Sequence, residues 1–328
     1  MTIRVIPWDG KPISAPGVYS GVDSASYHSG KLCAGPSISS TGLRTIFTKS
    51  PLEYWVNSPL NPNRLPQEDS RAFIVGRALH LLCLEGKFKE EFVCRPEEYE
   101  DEKGSLKKWT RASAYCKKWE AEAEELGLAV ITPAELEMLR GMAGLLPWQE
   151  GLEDSGLMNN AVVRAGALEG LVEHTVAARD AETGVWLLAR PDVIPTASRE
   201  IGDLKSTQSV EQRELQRTLE TLRYDMQFSL ASMCLEQAAG FRLENFALIF
   251  VTKTAPHEVA VRELKHFDME ASALDLQAAI RTFAICMERG RWPGVGGGEE
   301  DAKYLERSQY SRDRAIDRRN QLSRLIFG

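Results

Sequence analysis

The stretch "RPDVIPTASREIGDLKS", residues 190–206, constrains this chain more than any other, because it sets acids into segments that otherwise read as buried strands. A carboxylate in a sheet interior is costly unless something pairs with it. In "VWLLARPDVIP", strict alternation puts Trp186, Leu188, Arg190 and Asp192 on one face. In "IGDLKS" the same rule gives Asp203 and Lys205 a shared face. If the two strands pair through "PTASRE", Asp192 and Asp203 point into a common volume. Two carboxylates there repel and take up protons unless a cation holds them ionised. A hard divalent ion bound by oxygens meets that need, magnesium first.

An acid two residues before a lysine is not in itself informative. It occurs six times, at Asp9, Glu85, Asp101, Asp203, Glu263 and Asp301. Asp203 differs by lying on an expected strand, with a second strand just before it that carries a Pro-Asp. Glu263 with Lys265 also follows a strand and is the runner-up pair. The bland alternatives are a turn acid after proline for Asp192 and a surface ion pair for Asp203 with Lys205.

The rest of the chain frames these acids. With 328 residues, 43% of them hydrophobic, it can bury a sizeable core. The longest apolar run, "GRALHLLCLEG", is too short to cross a bilayer, and the start "MTIRVIPWDGKPISAPG" has no secretory pattern, so a cytoplasmic protein is expected. The six cysteines form no C-x-x-C pair, which predicts reduced, mostly buried thiols rather than a zinc or iron-sulfur site. A net charge of −7 excludes a protein that coats nucleic acid with its whole surface, but not an enzyme with one basic face.

Periodicity predicts short strands and turns over 1–36, a short helix before Pro51, and a helix in "DSRAFIVGRALHLLCLEGKF" stopped at Gly86. A charged amphipathic helix is expected in "SLKKWTRASAYCKKWEAEAEELG". Another is capped by Thr132, Pro133 and Glu135. Three antiparallel strands follow over 168–206, then one helix from 210 to Gly240, two strands, and a helix over 268–290. Past "GRWPGVGGGEE" lies an arginine-rich helix. The expected architecture is an α/β domain, a central mixed β-sheet flanked by helices, over 1–295, with helical elaboration at about 97–150. A Gly-rich linker and basic helical tail occupy 296–328.

"RPD", followed eleven residues after its acid by "DLK", resembles the PD-(D/E)XK (restriction-endonuclease-like) nuclease superfamily. Further segments narrow the likeness: "GVYSGVDSASYHSG" with "SISSTGLRTIFTKSPLEYW", "GRALHLLCLEG", "ITPAELEMLRGMAGLL", "LVEHTVAARDAETGVWLLARPDVI", "YDMQFSLASMCLE" and "RWPG". In that order, over about 17–294, they resemble the phage and prophage exonuclease VIII (RecE-type) nuclease domain.

The resemblance implies that Asp192 and Asp203 bind Mg²⁺, with Mn²⁺ able to substitute, and that His80 and Leu204 complete the metal set. It implies Lys205 as the residue that orients and polarises the attacking hydroxide, and Glu173 in "LVEHTV" as an acid beside the metal. Alternation turns His174 the other way. Tyr224 and Gln227, three apart on one helical side, match a Tyr and Gln that support Lys205 and contact the DNA backbone. Gly76, one turn before His80, would let another backbone or a metal approach. The activity implied is a 5′-to-3′ double-strand DNA exonuclease working from duplex ends and leaving 3′ single-stranded tails for phage-type recombination. A RecT-like annealing protein as partner and a ring-shaped homo-oligomer are implied with it. A structure-specific or sequence-specific endonuclease, or an inactive DNA-binding or assembly subunit, are the alternatives on the same core. Two clusters offer a basic surface: Lys107, Lys108, Arg111, Lys117 and Lys118, and Arg312, Arg314, Arg318, Arg319 and Arg324. Charged helix faces are more often simply solvated.

Overall fold

Side-chain caps in the sequence mark where many of the elements begin. The computed structural model describes residues 3–64, 70–85, 87–101, 103–144, 167, 169–296 and 306–327. In the first part of the chain the elements are β1 (Val5–Pro7), β2 (Gly17–Ser20), α1 (Ser24–His28), β3 (Ser37–Ser39), α2 (Ser40–Thr48), α3 (Pro51–Asn57) and α4 (Arg71–His80). A π-helical turn at Leu81–Glu85 follows, then α5 (Phe88–Glu91), β4 (Phe92–Cys94), β5 (Glu98–Glu100), β6 (Leu106–Lys108), α6 (Ala114–Glu125), β7 (Ala129–Ile131) and α7 (Pro133–Ala143). Then come β8 (Gly170–Val172), β9 (Thr175–Arg179), β10 (Trp186–Ala189), β11 (Val193–Pro195), β12 (Glu200–Thr207), α8 (Gln212–Leu222) and α9 (Tyr224–Ala239). Last are β13 (Asn245–Thr252), β14 (Val259–Glu263), α10 (His266–Arg289) and α11 (Gln309–Phe327). Ser50, Ser70 and Thr132 each accept a hydrogen bond from a first-turn N–H, of α3, α4 and α7, and Glu135 completes the capping box on α7.

The sheet is mixed. Strands run in the order β1-β2-β9-β10-β3, with β12-β13-β14 and β8-β11 as separate ladders. β1 and β2, β3 and β10, and β12 and β13 pair in parallel, while β9 is antiparallel to both β2 and β10. One core packs this sheet against α2, α9 and α10 through Leu43, Leu187, Leu230 and Phe283, each at most 1% exposed. A second lies on the other face of β12 and β13, where Leu204, Ile249 and Val251 meet Val75, Leu79 and Leu139 of α4 and α7. Each such side chain contributes about 1.5–3 kcal/mol on burial. β12 and β13 therefore have apolar packing on both faces, and β13 carries the near-continuous apolar run of such a strand, whereas β12 carries Asp203 and Lys205.

Several expectations change. The 168–206 segment is not a three-stranded antiparallel meander. β9 with β10 and β8 with β11 form one hairpin, but β12 joins β13 instead of β11, so "PTASRE" is not a hairpin turn. The expected strand 185–195 breaks at Arg190–Asp192, because Pro191 has no N–H to donate and restricts the residue before it. The single helix expected over 210–240 is two, α8 and α9, separated by Arg223 at φ 50°. Arg223 is held there by Asp225 (2.8 Å) and by Asp275 of α10 (2.7 Å).

Residues 106–108 are strand, not helix. The Asp101 carboxylate accepts hydrogen bonds from the N–H groups of Lys103 and Ser105 (2.9 Å each), and Gly104 at φ 75° closes the turn that pairs β5 with β6. The elaboration at 97–144 thus mixes strands with α6 and α7; 145–150, like Gly86, lie outside the described residues. The chain divides into Met1–Trp292, which holds the sheet and both cores, and Pro293–Gly328, which holds α11. No helix among the described residues is long and apolar enough to cross a membrane.

Candidate active site

Register explains how Glu173 and Asp192 come together. Val172 pairs with Val193 and Val176 with Ala189, so the hairpin keeps one register on both sides of its interruption. That register sets Glu173 opposite Asp192, and the Glu173 N–H donates to the Asp192 carbonyl at 3.0 Å. Glu173 takes φ 51°, a left-handed conformation uncommon for a side-chain-bearing residue, so simple alternation does not decide where it points. His174 stays local, its Nδ1 2.8 Å from the Val172 carbonyl.

His80 ends α4, immediately before the π-helical turn, a feature common at functional sites. Its Nε2 lies 3.1 Å from the Leu204 carbonyl, which can only accept, so Nε2 carries the proton in this orientation. Nδ1 then faces Asp192 Oδ1 at 3.4 Å and Glu173 Oε1 at 3.7 Å. Burial disfavours the imidazolium, but Asp192 and Glu173 more than reverse this and lift its pKa to about 9. His80, Glu173 and Asp192 each offer a ligand atom within 4.8 Å of the others, the metal-capable group of this kind among the described residues.

Asp203 and Lys205 stand beside that group on β12. Asp203 Oδ1 accepts from Gln227 Nε2 at 2.9 Å, and Asp203 Oδ2 is in contact with the Lys205 ammonium. Oδ2 is buried against that ammonium. Burial and then the nearby Asp192 charge push the Asp203 carboxyl up. For Lys205, burial opposes the charge, but Asp203 and Asp192 prevail and hold it well above the ordinary lysine value. The Tyr224 ring lies 5.2 Å from the ammonium.

This differs in detail from the sequence expectation. The clustered ligand group is His80, Glu173 and Asp192, with Asp203 beside it and close enough for the Asp192 charge to act on its carboxyl; Asp192 Oδ2 accepts from the Leu204 N–H at 2.7 Å, and Asp203 is engaged by Gln227 and Lys205. The Leu204 carbonyl is engaged by His80. Gln227 holds Asp203 rather than Lys205, and Tyr224 is the residue beside the lysine. No backbone approaches Gly76, whose face opens onto the cavity. Glu263 and Lys265 are exposed, away from this group. In the first basic cluster, Lys107, Arg111 and Lys118 pair with Asp101, Glu120 and Glu122. In the tail, Arg312 pairs with Glu306, and the Arg324 side chain lies outside the described residues.

All of the central residues line one cavity of about 680 Å³. Sequence reasoning assigned no role to three arginines there. Arg190 stacks on Tyr27 at 4.2 Å and donates to Thr175 Oγ1, Arg77 pairs with Glu91 and donates to Ser24 Oγ, and Arg44 donates to the Leu222 carbonyl. Arg77 and Arg190 were the findable ones, since Arg77 sits three residues before His80 on the same helical face and Arg190 alternates onto the face of Asp192.

The donor set fits a divalent cation. Two carboxylates supply hard oxygens, an imidazole adds a ligand tolerated by manganese, and the buried Asp203 carboxylate lies adjacent, paired with Lys205.

Comparison with known proteins bears on the fold that holds this site. The family model described as a PDDEXK-like domain of unknown function (DUF3799) matches residues 148–304, just under half of the chain. No curated protein matches the sequence. The solved structure of a proposed exonuclease from Eubacterium rectale superposes with a TM-score of 0.52 at 12% identity, covering 87% of this chain and 92% of that one. A phage-related exonuclease from Haemophilus somnus 129PT gives a TM-score of 0.29 at 13% identity over 65% of this chain and 95% of its own, too loose to carry weight. The chain has an α/β fold of the PD-(D/E)XK-like nuclease kind, with a metal-capable His-Glu-Asp cluster in its cavity.

Proposed function

We propose that this protein is a metal-dependent DNA exonuclease that degrades duplex from the 5′ end and releases 5′-phosphate nucleotides. The observation that carries the reading is the adjacency of His80, Glu173 and Asp192 to the buried Asp203–Lys205 pair in one arginine-flanked cavity. His80, Glu173 and Asp192 would hold Mg²⁺ or Mn²⁺, with Asp203 beside them. When bound, such an ion activates water and stabilises charge on a phosphoryl group.

The chain's own residues supply the rest. Lys205 is a fixed cation, not a base: its proton is held by the two acids, and Asp203 with the Tyr224 ring fixes its position. It is suited to steady negative charge growing on a phosphate, since an oriented charge in a water-poor site needs no rearrangement. Gln227 orients Asp203 in turn. Arg44, Arg77 and Arg190 line the cavity as phosphate-binding candidates, which reconciles a chain charge of −7 with a polyanionic substrate.

The polarity, the 3′ tails and a role in single-strand annealing recombination follow the motif order that resembles exonuclease VIII. So do the RecT-like partner and the ring-shaped homo-oligomer. Incubating linear and covalently closed duplex with and without Mg²⁺ tests the reading. An exonuclease consumes only the linear form and only with metal. Cutting of the circle indicates an endonuclease, and no cutting of either indicates a binding or assembly subunit.

A further inference from the structure

On α4, Phe73, Gly76, Arg77 and His80 recur at i, i+3, i+4 and i+7, so they share one face, and all four line the site cavity. Arg77 and His80 have polar partners there. Phe73 is 48% exposed, and it lines a second cavity as well, of about 440 Å³. The two cavities also share Tyr27, His28, Ser39 and Thr41, so they adjoin beside Phe73. The smaller one combines apolar walls from Ile38, Tyr54 and Leu188 with Lys49, Asn57 and Arg64. Its size, and its mix of apolar wall with hydroxyls and charged groups that include the Lys49–Glu53 pair, suit one small organic unit with polar edges. Phe73 and His80 are seven residues apart, about 10 Å along the helix, roughly three stacked steps of a strand at about 3.4 Å each.

Resting on the nuclease reading above, we infer that Phe73 is a base-stacking residue and that the smaller cavity seats an unpaired nucleotide of the strand whose phosphodiester reaches His80, Glu173 and Asp192. An aromatic face serves any base, which suits an enzyme with no sequence requirement. A base still paired and stacked within duplex has both faces covered by its neighbours. The seat therefore requires a frayed or single-stranded end.

The test uses a short single-stranded oligodeoxynucleotide with 2-aminopurine placed at successive positions, bound in EDTA so that cleavage plays no part. Wild-type protein should change the fluorescence most at one position. Phe73→Ala should weaken binding by about 5- to 150-fold, the range for one base–aromatic stack, and Phe73→Trp should retain it. With an abasic unit at that position, Phe73→Ala should cost nothing further. Equal losses for intact and abasic strands, or no loss with either, overturn the inference. If wild-type protein still digests linear duplex with Mg²⁺ in that case, the nuclease reading stands without it. If it neither binds nor digests DNA, both fall.

Discussion

Glu173 and Asp192 face each other across a hairpin whose register is unbroken on either side, and both carboxylates lie within 4 Å of His80 Nδ1, at 3.7 and 3.4 Å. Like charges directly opposite on paired strands are destabilising unless a cation lies between them. A protonated His80 meets that need when no metal is bound, and a divalent ion meets it better.

Asp192→Asn keeps an oxygen that can accept from the Leu204 N–H but removes the ligand charge. It should leave the melting temperature within a few degrees of wild type and lower the rate of DNA cleavage by about 100-fold or more. Wild-type cleavage by a folded Asp192→Asn protein would remove Asp192 from the site.

Lys205→Ala strands a buried carboxylate, so it should cost both activity and stability, the latter by about 3 kcal/mol before Asp203 takes up a proton. Lys205→Ala combined with Asp203→Asn should recover much of the stability and none of the activity. Chemical denaturation of the single and double variants checks this. An additive loss would show that the two side chains do not depend on each other.

Gln227 donates to Asp203 Oδ1 from α9, so Gln227→Ala should reduce cleavage about 10- to 100-fold while the protein stays folded. Arg223→Ala acts on the same helix from further away, because Arg223 ties the start of α9 to Asp275 of α10. It should lower activity less than Gln227→Ala does. Steady-state rates on one linear substrate rank the two, and the reverse order would contradict this assignment.

The elements and the site were unequally legible in the sequence. Caps and periodicity gave α4, α7, β13, β14 and α10 to within a few residues, since local hydrogen bonding and one apolar face fix each of them. Pairing partners were not legible. Nothing local in "EIGDLKS" shows that β12 takes β13, whose paired residues lie 45 positions on, in preference to β11. Glu173 reaches His80 through a left-handed residue, which no alternation rule anticipates. Arg44 enters the cavity from α2, far from β12 in sequence, so no spacing connects it to Asp203.

The Glu135 carboxylate accepts from the Thr132 N–H in the capping box of α7 and pairs with Arg71 at the start of α4. Burial pushes its carboxyl up, but Arg71 and Thr132 prevail and bring it to about 2 from an ordinary 4.5. Since the folded value is the lower one, its stabilisation is complete above pH 4.5 and is lost as pH falls from there through about 2. Solvent screening limits it to about 1 kcal/mol. Wild type should exceed Glu135→Gln in denaturation midpoint at pH 6, and the gap should narrow towards pH 2. A gap independent of pH would mean the charge contributes nothing.

The most direct measurement is anomalous diffraction from crystals soaked in Mn²⁺. A peak bonded to His80, Glu173 and Asp192, lost in the Asp192→Asn protein, is the predicted result. Manganese bound elsewhere, or absent from this cluster in protein that digests DNA with Mn²⁺, would contradict the account.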